Sequence, residues 1–454
     1  MRKATYSRVK PVAKPRMQVR FDFLLVVAVI LIAVFEGAVR KWIAPGLTTP
    51  LLLLRDVAAF TLVLRAVLGG AFRVMPGVTR CLVAWTFCVT CWGVFQIVVL
   101  QGPPVLFALG MRFWLLYFWF ALAMACSLST SEVVSVMRLM IVLGVAMTPL
   151  VVLQHFLPPS SVLNVQPDTE EDQIFLVIAN VVRVSGTFTF TLGFACFIAV
   201  VTPIAISTTW SGVRLYPRRW MALAGYVAVA ISTLVSGSRA SIMFFVGMLA
   251  LQTLAGFGAA RTGGAVMRSA AKVVVGLIAV AITLNVFSDA VQDTMQRFKS
   301  AGQGEDIVER IETELVGEPA ARKDIDFLGH GLGAGTNAGS VLLTGENAFA
   351  LAESEPARVM LEMGAVGFVW LVIKCVMFAA GLAKSAMMLA HNGESLPLLM
   401  WAATAYGMSS WPVSGQVSAN AFGFLALGLA LCSIRTRPVA AETGERVWPL
   451  GATP

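Results

Sequence analysis

Apolar runs of about 20 residues, long enough to cross a hydrocarbon core, recur along almost the whole chain. Short polar connectors separate them. Inside a bilayer the backbone can bond only to itself, so such runs are read as helices. The pattern predicts about twelve spans, over 23–39, 47–64, 80–100, 112–128, 137–157, 187–208, 220–236, 239–254, 273–287, 356–380, 395–413 and 417–434. Two polar stretches interrupt them. Pro158–Arg183 carries DTEED at Asp168–Asp172, and Ser288–Glu355 is the one long polar segment. Within the latter, Asp306–Leu315 has apolar residues at 307, 308, 311 and 315, which suits an amphipathic helix on a protein or bilayer surface. The predicted organisation is a basic tail (1–22), nine helices (23–287), a long loop (288–355), three helices (356–434) and a second tail (435–454).

Composition agrees with this pattern. The chain is 57% hydrophobic and 13% charged, where a soluble protein carries about 25% charge. The net charge of +9 does not point to nucleic acid, because the basic residues lie mainly in connectors. With both termini cytoplasmic, 21 of the 34 Lys and Arg fall in inner segments, as the positive-inside rule expects. The long loop holds 13 acidic and 5 basic residues, so it belongs outside. The fold class expected is an all-α polytopic membrane protein. All seven cysteines lie in or beside apolar runs, so no disulfide framework is expected. Cys88 and Cys91 form a CxxC inside a span, where small apolar packing residues are the simpler reading. The basic N-terminus leads into an apolar run with no cleavage site after it, which predicts an uncleaved first helix.

Charges that break these rules are the candidates for chemistry. Arg183 opens RVSGTFTF and Arg239 closes SGSR. Arg40 and Lys41 in FEGAVRKW, Arg112 and Arg358 fall at the same outer boundary, with His330 on the same side. Guanidinium groups present planar forks that match phosphate, so this group of cations suits a diphosphate head group. For Arg40, Lys41 and Arg112 taken singly, snorkelling at a helix end is the simpler reading. Around Arg183 and Arg239, Ser and Gly leave room for a ligand to approach the backbone. Arg55 and Asp56 interrupt a span. Adjacent residues on a helix do not face each other, so each needs a partner on another helix.

The stretch Gly329–Gly364 combines glycines, carboxylates, a histidine and an arginine. His330 is a candidate general base because its ordinary pKa lies near neutrality. Glu353 and Glu355 precede Pro356 at a predicted helix start, where the helix dipole favours a carboxylate. Glu362 lies further in, with Arg358 four residues before it on the same face. No His or Cys cluster has metal-ligand spacing, so no metal and no cofactor is expected. There is no phosphate-loop or nucleophile-elbow motif.

Four features, in order, resemble a known group: R-x-S-G-T-F at Arg183–Phe188, S-G-S-R at Ser236–Arg239, a long loop ending in glycines 331, 333 and 335, and L-E-x-G-x-x-G at Leu361–Gly367. Together they resemble the O-antigen ligase and O-antigen/exopolysaccharide polymerase superfamily, over roughly residues 180–370. The FEGAVRKW opening is nearer the exopolysaccharide polymerase branch. The resemblance implies a GT-C-like, metal-independent glycosyltransferase of the bacterial inner membrane. It would act at the periplasmic face on a glycan linked to undecaprenyl diphosphate, transferring it to an acceptor glycan. Chain-length regulator and export proteins would be natural partners. Carried over by motif, Arg183 and Arg239 would bind the diphosphate and stabilise leaving-group charge. Arg40, Lys41, Arg112 and Arg358 would assist binding. One departure stands out. The family's His-Asn pair before the E-x-G glutamate is missing, and position 353 is Glu. Either Glu353 or Glu355 takes the base role, the reading preferred on sequence, or His330 reaches in from the loop. A lipid-linked glycan transporter is the alternative function, although the halves show no internal symmetry of the kind common in transporters.

Overall fold

The computed structural model describes residues 16–164, 177–178, 181–210, 215, 219–259, 267, 317, 325–345, 352 and 354–435. The predicted span at 273–287, the DTEED stretch, the amphipathic segment 306–315 and Glu353 lie outside the described residues. The helices are α1 (Arg16–Ala38), α2 (Thr48–Leu68), α3 (Pro76–Leu100), α4 (Pro104–Met111), α5 (Tyr117–Ser127) and α6 (Thr130–Phe156). Then follow α7 (Thr191–Trp210), α8 (Arg219–Val235), α9 (Arg239–Gly258), α10 (Asn337–Thr344), α11 (Glu355–Met363), α12 (Ala365–Asn392), α13 (Leu396–Ser410) and α14 (Val417–Ser433). The strand content described is one two-residue pairing, Val177–Ile178 with Val181–Val182. Among the described residues, seven helical stretches are long and apolar enough to cross a membrane. The all-α membrane class expected from the sequence therefore holds.

Burial is arranged for lipid rather than water. Helix α7 is enclosed on nearly every side by α6, α8, α9, α13 and α14. The peripheral α3 and α12 bury only one face. They expose Phe87, Val98, Phe368 and Val376, which marks a surface adapted to hydrocarbon. Small residues let the inner helices approach, as is usual where lipid supplies no hydrophobic drive between helices. At α6 a capping box forms between Ser129 and Glu132, each side chain bonding the other's backbone N–H.

Element boundaries differ from the apolar pattern in two places. The run at 356–380 is two helices, α11 and α12, broken at Gly364, whose φ of 56° and ψ of −127° exclude most side chains. The run at 112–128 starts earlier, at Pro104, and passes through a π-helical turn at Arg112–Leu116. A second π turn, Val39–Ile43, continues α1. π turns often occur at functional positions, and both of these carry candidate cations. Apolar periodicity is insensitive to such one-residue slips.

Contacts between the connectors sort them to two ends of the bundle. At one end Lys41 meets residues 185–188, Gln154 meets Gly186, Gln96 meets Leu328, and Ser414 meets Glu355. At the other, Arg65 pairs with Asp22, Arg435 donates to Ala125 and Leu128, and Ser395 bonds Gln252. The first end carries Arg183, Arg239, His330 and Glu355.

Candidate active site

Arg183 and Arg239 come from different loops, and the fold brings them within electrostatic reach of one another. Arg183 lies in the segment leading into α7, and Arg239 is the first residue of α9. The Arg183 guanidinium is pushed below its usual pKa, first by burial and then by the positive charge of Arg239. Two like charges held together in a poorly solvated place favour a bound anion. Ser238 caps α9 by accepting from the Ser241 N–H, so Arg239 stands at the positive end of a 20-residue helix.

The Arg183 segment is tied down from two sides. The Lys41 ammonium donates to Ser185 Oγ at 2.8 Å, Phe188 O at 3.1 Å and Gly186 O at 3.3 Å. Those three bonds use all the donors an ammonium has. Thr187 Oγ1 donates to Val34 O at 2.6 Å. The strap lies so close to α1 that a Cβ on Gly37 would run into the backbone of Thr187 and Phe188. From α6, the Gln154 side chain accepts from Gly186 N at 2.7 Å and donates to Gly186 O at 3.1 Å. The Phe188 ring packs against Phe197 and Phe422.

The glycine loop and the L-E-x-G motif prove to be halves of one latch. Glu362 is fully buried. Its carboxylate accepts from Gly333 N at 2.5 Å, Trp114 Nε1 at 2.9 Å and Gly335 N at 3.3 Å. Gln96 donates to Leu328 O and Glu362 O and accepts from Leu332 N. A Cβ at Gly335 would strike Glu362 and Arg358, so the loop can wrap the pair only as glycine. Burial pushes the Glu362 carboxyl up to about 7, against the opposing pull of the Gly333 and Trp114 donors. The polar part of Glu362 is therefore spent on holding the loop.

This latch presents His330. Its backbone N–H donates to Leu361 O at 2.7 Å, and its Nδ1 lies 3.0 Å from the same oxygen. A carbonyl only accepts, so Nδ1 carries the proton and Nε2 is the accepting nitrogen. The ring is exposed. Glu355, by contrast, is 3% exposed. It accepts from Ser414 Oγ at 3.0 Å and Ser414 N at 3.3 Å. Burial raises its pKa, opposed by the charges of Lys374 and Arg358. Glu355, Lys374 and Ser414 line a small cavity of about 10 Å³ with Trp114 and Trp370, room for about one water. Arg358 is also buried and donates to Ala352 O at 2.9 and 3.2 Å.

The remaining candidates belong to a partly buried chain of charges beneath the same end. Arg55, 1% exposed, donates to Tyr117 Oη at 2.7 Å and Glu36 Oε2 at 3.2 Å. Tyr117 donates to Asp56 Oδ1 at 2.8 Å. Both oxygens of Asp56 accept from Arg112, Oδ2 from Nε and Oδ1 from Nη2 at 3.2 Å. This supplies the partners that Arg55 and Asp56 needed on other helices. Arg112 stands in a carboxylate fork, and Arg40 sits on the π turn within reach of Glu36.

Sequence reasoning named the arginines but passed over their supports: Gln96, Gln154, Trp114, Tyr117, Lys374 and Ser414. The two glutamines were the available signal, since a lone amide inside an apolar run demands partners. Compared with family models, curated proteins and solved structures, the chain matches none of them.

Proposed function

We propose that this protein is a membrane glycosyltransferase that extends, or transfers, a glycan carried on undecaprenyl diphosphate. The observation carrying the proposal is the pairing of Arg183 with Arg239 at one end of the bundle. Two adjacent cations with a helix N-terminus suit a diphosphate leaving group. They stabilise the charge that develops as the glycosyl bond breaks, which is where such donors contribute most. With twelve crossings in a GT-C-like arrangement and cytoplasmic termini, this end faces the periplasm of the inner membrane. The reaction needs no metal in this reading, because the arginines take the electrostatic role.

The acceptor hydroxyl must lose a proton. His330 is the base in this reading, since its Nε2 is directed away from the Leu361 carbonyl and the ring is open to solvent. Glu355 is enclosed and bonded to Ser414, so it shapes the turn at 411–416. Of the two carboxylates preferred on sequence, Glu355 is thus set behind His330 in this reading, and Glu353 lies outside the described residues. Polymerase is favoured over ligase on the FEGAVRKW resemblance. Removing the protein from its cell tests the reading. A polymerase leaves lipid-linked single repeat units, and a ligase leaves full-length polymer unattached to its acceptor. Accumulation of lipid-linked units confined to the cytoplasmic leaflet would instead indicate transport and overturn the proposal.

A further inference from the structure

We infer that Lys41 is a positioning residue: it holds the strap that carries Arg183 and does not itself contact the anion. The inference rests on the glycosyltransferase reading only for what Arg183 binds. The geometry stands independently of it. Lys41 has three donors, and Ser185 Oγ, Gly186 O and Phe188 O take them at 2.8, 3.3 and 3.1 Å. Ser185 lies two residues from Arg183. The strap has no regular secondary structure between Val182 and Thr191, so side chains must define its path. Two further helices finish the job. Gln154 of α6 brackets both polar groups of Gly186, and Gly37 of α1 lies flat against Thr187 and Phe188. The FEGAVRKW segment thus has a physical reason for its composition. Its glycine lets the strap approach, and its lysine, on the π turn one residue beyond Arg40, ties the strap down.

The cost of loosening the strap falls on the placement of Arg183. A guanidinium acts on a diphosphate through a directional fork, and small displacements of a positioned group cost large factors in rate. Replacing Lys41 removes three charge-assisted bonds without removing either arginine.

Purified full-length protein in detergent provides the test, with two readouts. Amide hydrogen exchange at residues 184–188 reports the strap directly. In Lys41→Met it should rise roughly tenfold to hundredfold over wild type, with α6 and α7 unchanged. Unchanged exchange in the strap overturns the inference whatever the protein's function. Affinity for inorganic pyrophosphate reports the consequence. Lys41→Met and Arg183→Ala should each weaken it by about tenfold or more, and the double variant should be no weaker than Arg183→Ala alone. Independent, multiplying losses would show that Lys41 touches the anion and would overturn the positioning role. Absence of pyrophosphate binding by wild type would count against the diphosphate reading, leaving exchange to decide the strap. Gly37→Ala guards against misfolding of the lysine variant. It displaces the strap with no change in charge, so it should weaken pyrophosphate binding in the same direction, and unaltered binding and exchange would contradict the inference. Alkylating Lys41→Cys with 2-bromoethylamine restores an ammonium of lysine length. It should recover strap protection, with treated wild type as control for the seven native cysteines.

Discussion

Four arginines near one end of this bundle do two different things, and their neighbours decide which. Arg55 and Arg112 stand in a chain of alternating charge, Glu36–Arg55–Tyr117–Asp56–Arg112, in which each cation faces a carboxylate. Arg183 instead has another arginine, Arg239, as its charged neighbour. The first arrangement is complete as it stands and binds α1, α2 and the π turn before α5 together. The second sets two cations within reach of each other, where a bound anion would offset their repulsion. An arginine in a membrane protein is therefore informative only together with its partners.

The largest effect should come from breaking the complete arrangement. Arg55→Met leaves the half-buried Glu36 without its bonded cation and the buried Tyr117 hydroxyl without its donor, and should cost about 3–5 kcal/mol of stability, read as a lowered unfolding midpoint in detergent. Next in size is the like-charge pair. Arg183→Ala and Arg239→Ala should each lower glycan transfer roughly 100-fold to 1000-fold, as removal of a transition-state donor does. The unfolding midpoint of Arg183→Ala should stay level or rise, because a like-charge repulsion is relieved. A large fall in stability in that variant would mean that Arg183 is structural after all.

Glu362→Gln probes the latch between these regions. It puts an amide NH2 where one carboxylate oxygen accepts, leaving at least one of the three donors unsatisfied, at about 1–3 kcal/mol, and should impair transfer through the His330 loop. It also has a pH signature. The Glu362 carboxyl is raised from 4.5 to about 7 in the folded protein. Between those values the folded state holds a proton that the unfolded chain has lost, so stability falls as pH rises through that window. The substitution should make this slope shallower between about pH 5 and pH 7, measured as the unfolding midpoint against pH. Burial also raises Glu355, and Glu394 to about 7, so part of the slope should remain. The smallest effect expected is that of Arg112→Lys. It keeps the charge but loses the two-pronged bond to Asp56, at about 0.5–1.5 kcal/mol, with transfer nearly intact. A severe loss of transfer would move Arg112 from the structural chain to the anion-binding set.

Much of this was readable from the chain, and the reasons differ by level. Long apolar runs identify helices because the bilayer permits little else, so α3, α6 and α7 fall close to their expected places. The π turns at Val39 and Arg112 and the break at Gly364 were not readable, since each shifts the register without changing hydrophobicity. Arg183 and Arg239 stood out because cations at that boundary oppose the general charge bias. Their proximity did not, as it depends on how α7 and α9 pack. The glycine loop and Glu362 looked like separate motifs, one for turns and one for chemistry. Only the bonds from Gly333 and Gly335 reveal a single latch. Lys41 and Arg112 read as free boundary cations because sequence shows a charge but not the acceptors that the fold sets around it.

The proposal stands or falls with Arg183 and Arg239 forming one diphosphate site that serves glycosyl transfer. Its most direct test is chain extension by purified protein in detergent, with no compartments, given polyprenyl-diphosphate-linked oligosaccharide. Longer lipid-linked glycans are expected with wild type and none above background with Arg239→Ala. Normal extension by the Arg239→Ala protein would contradict the proposal.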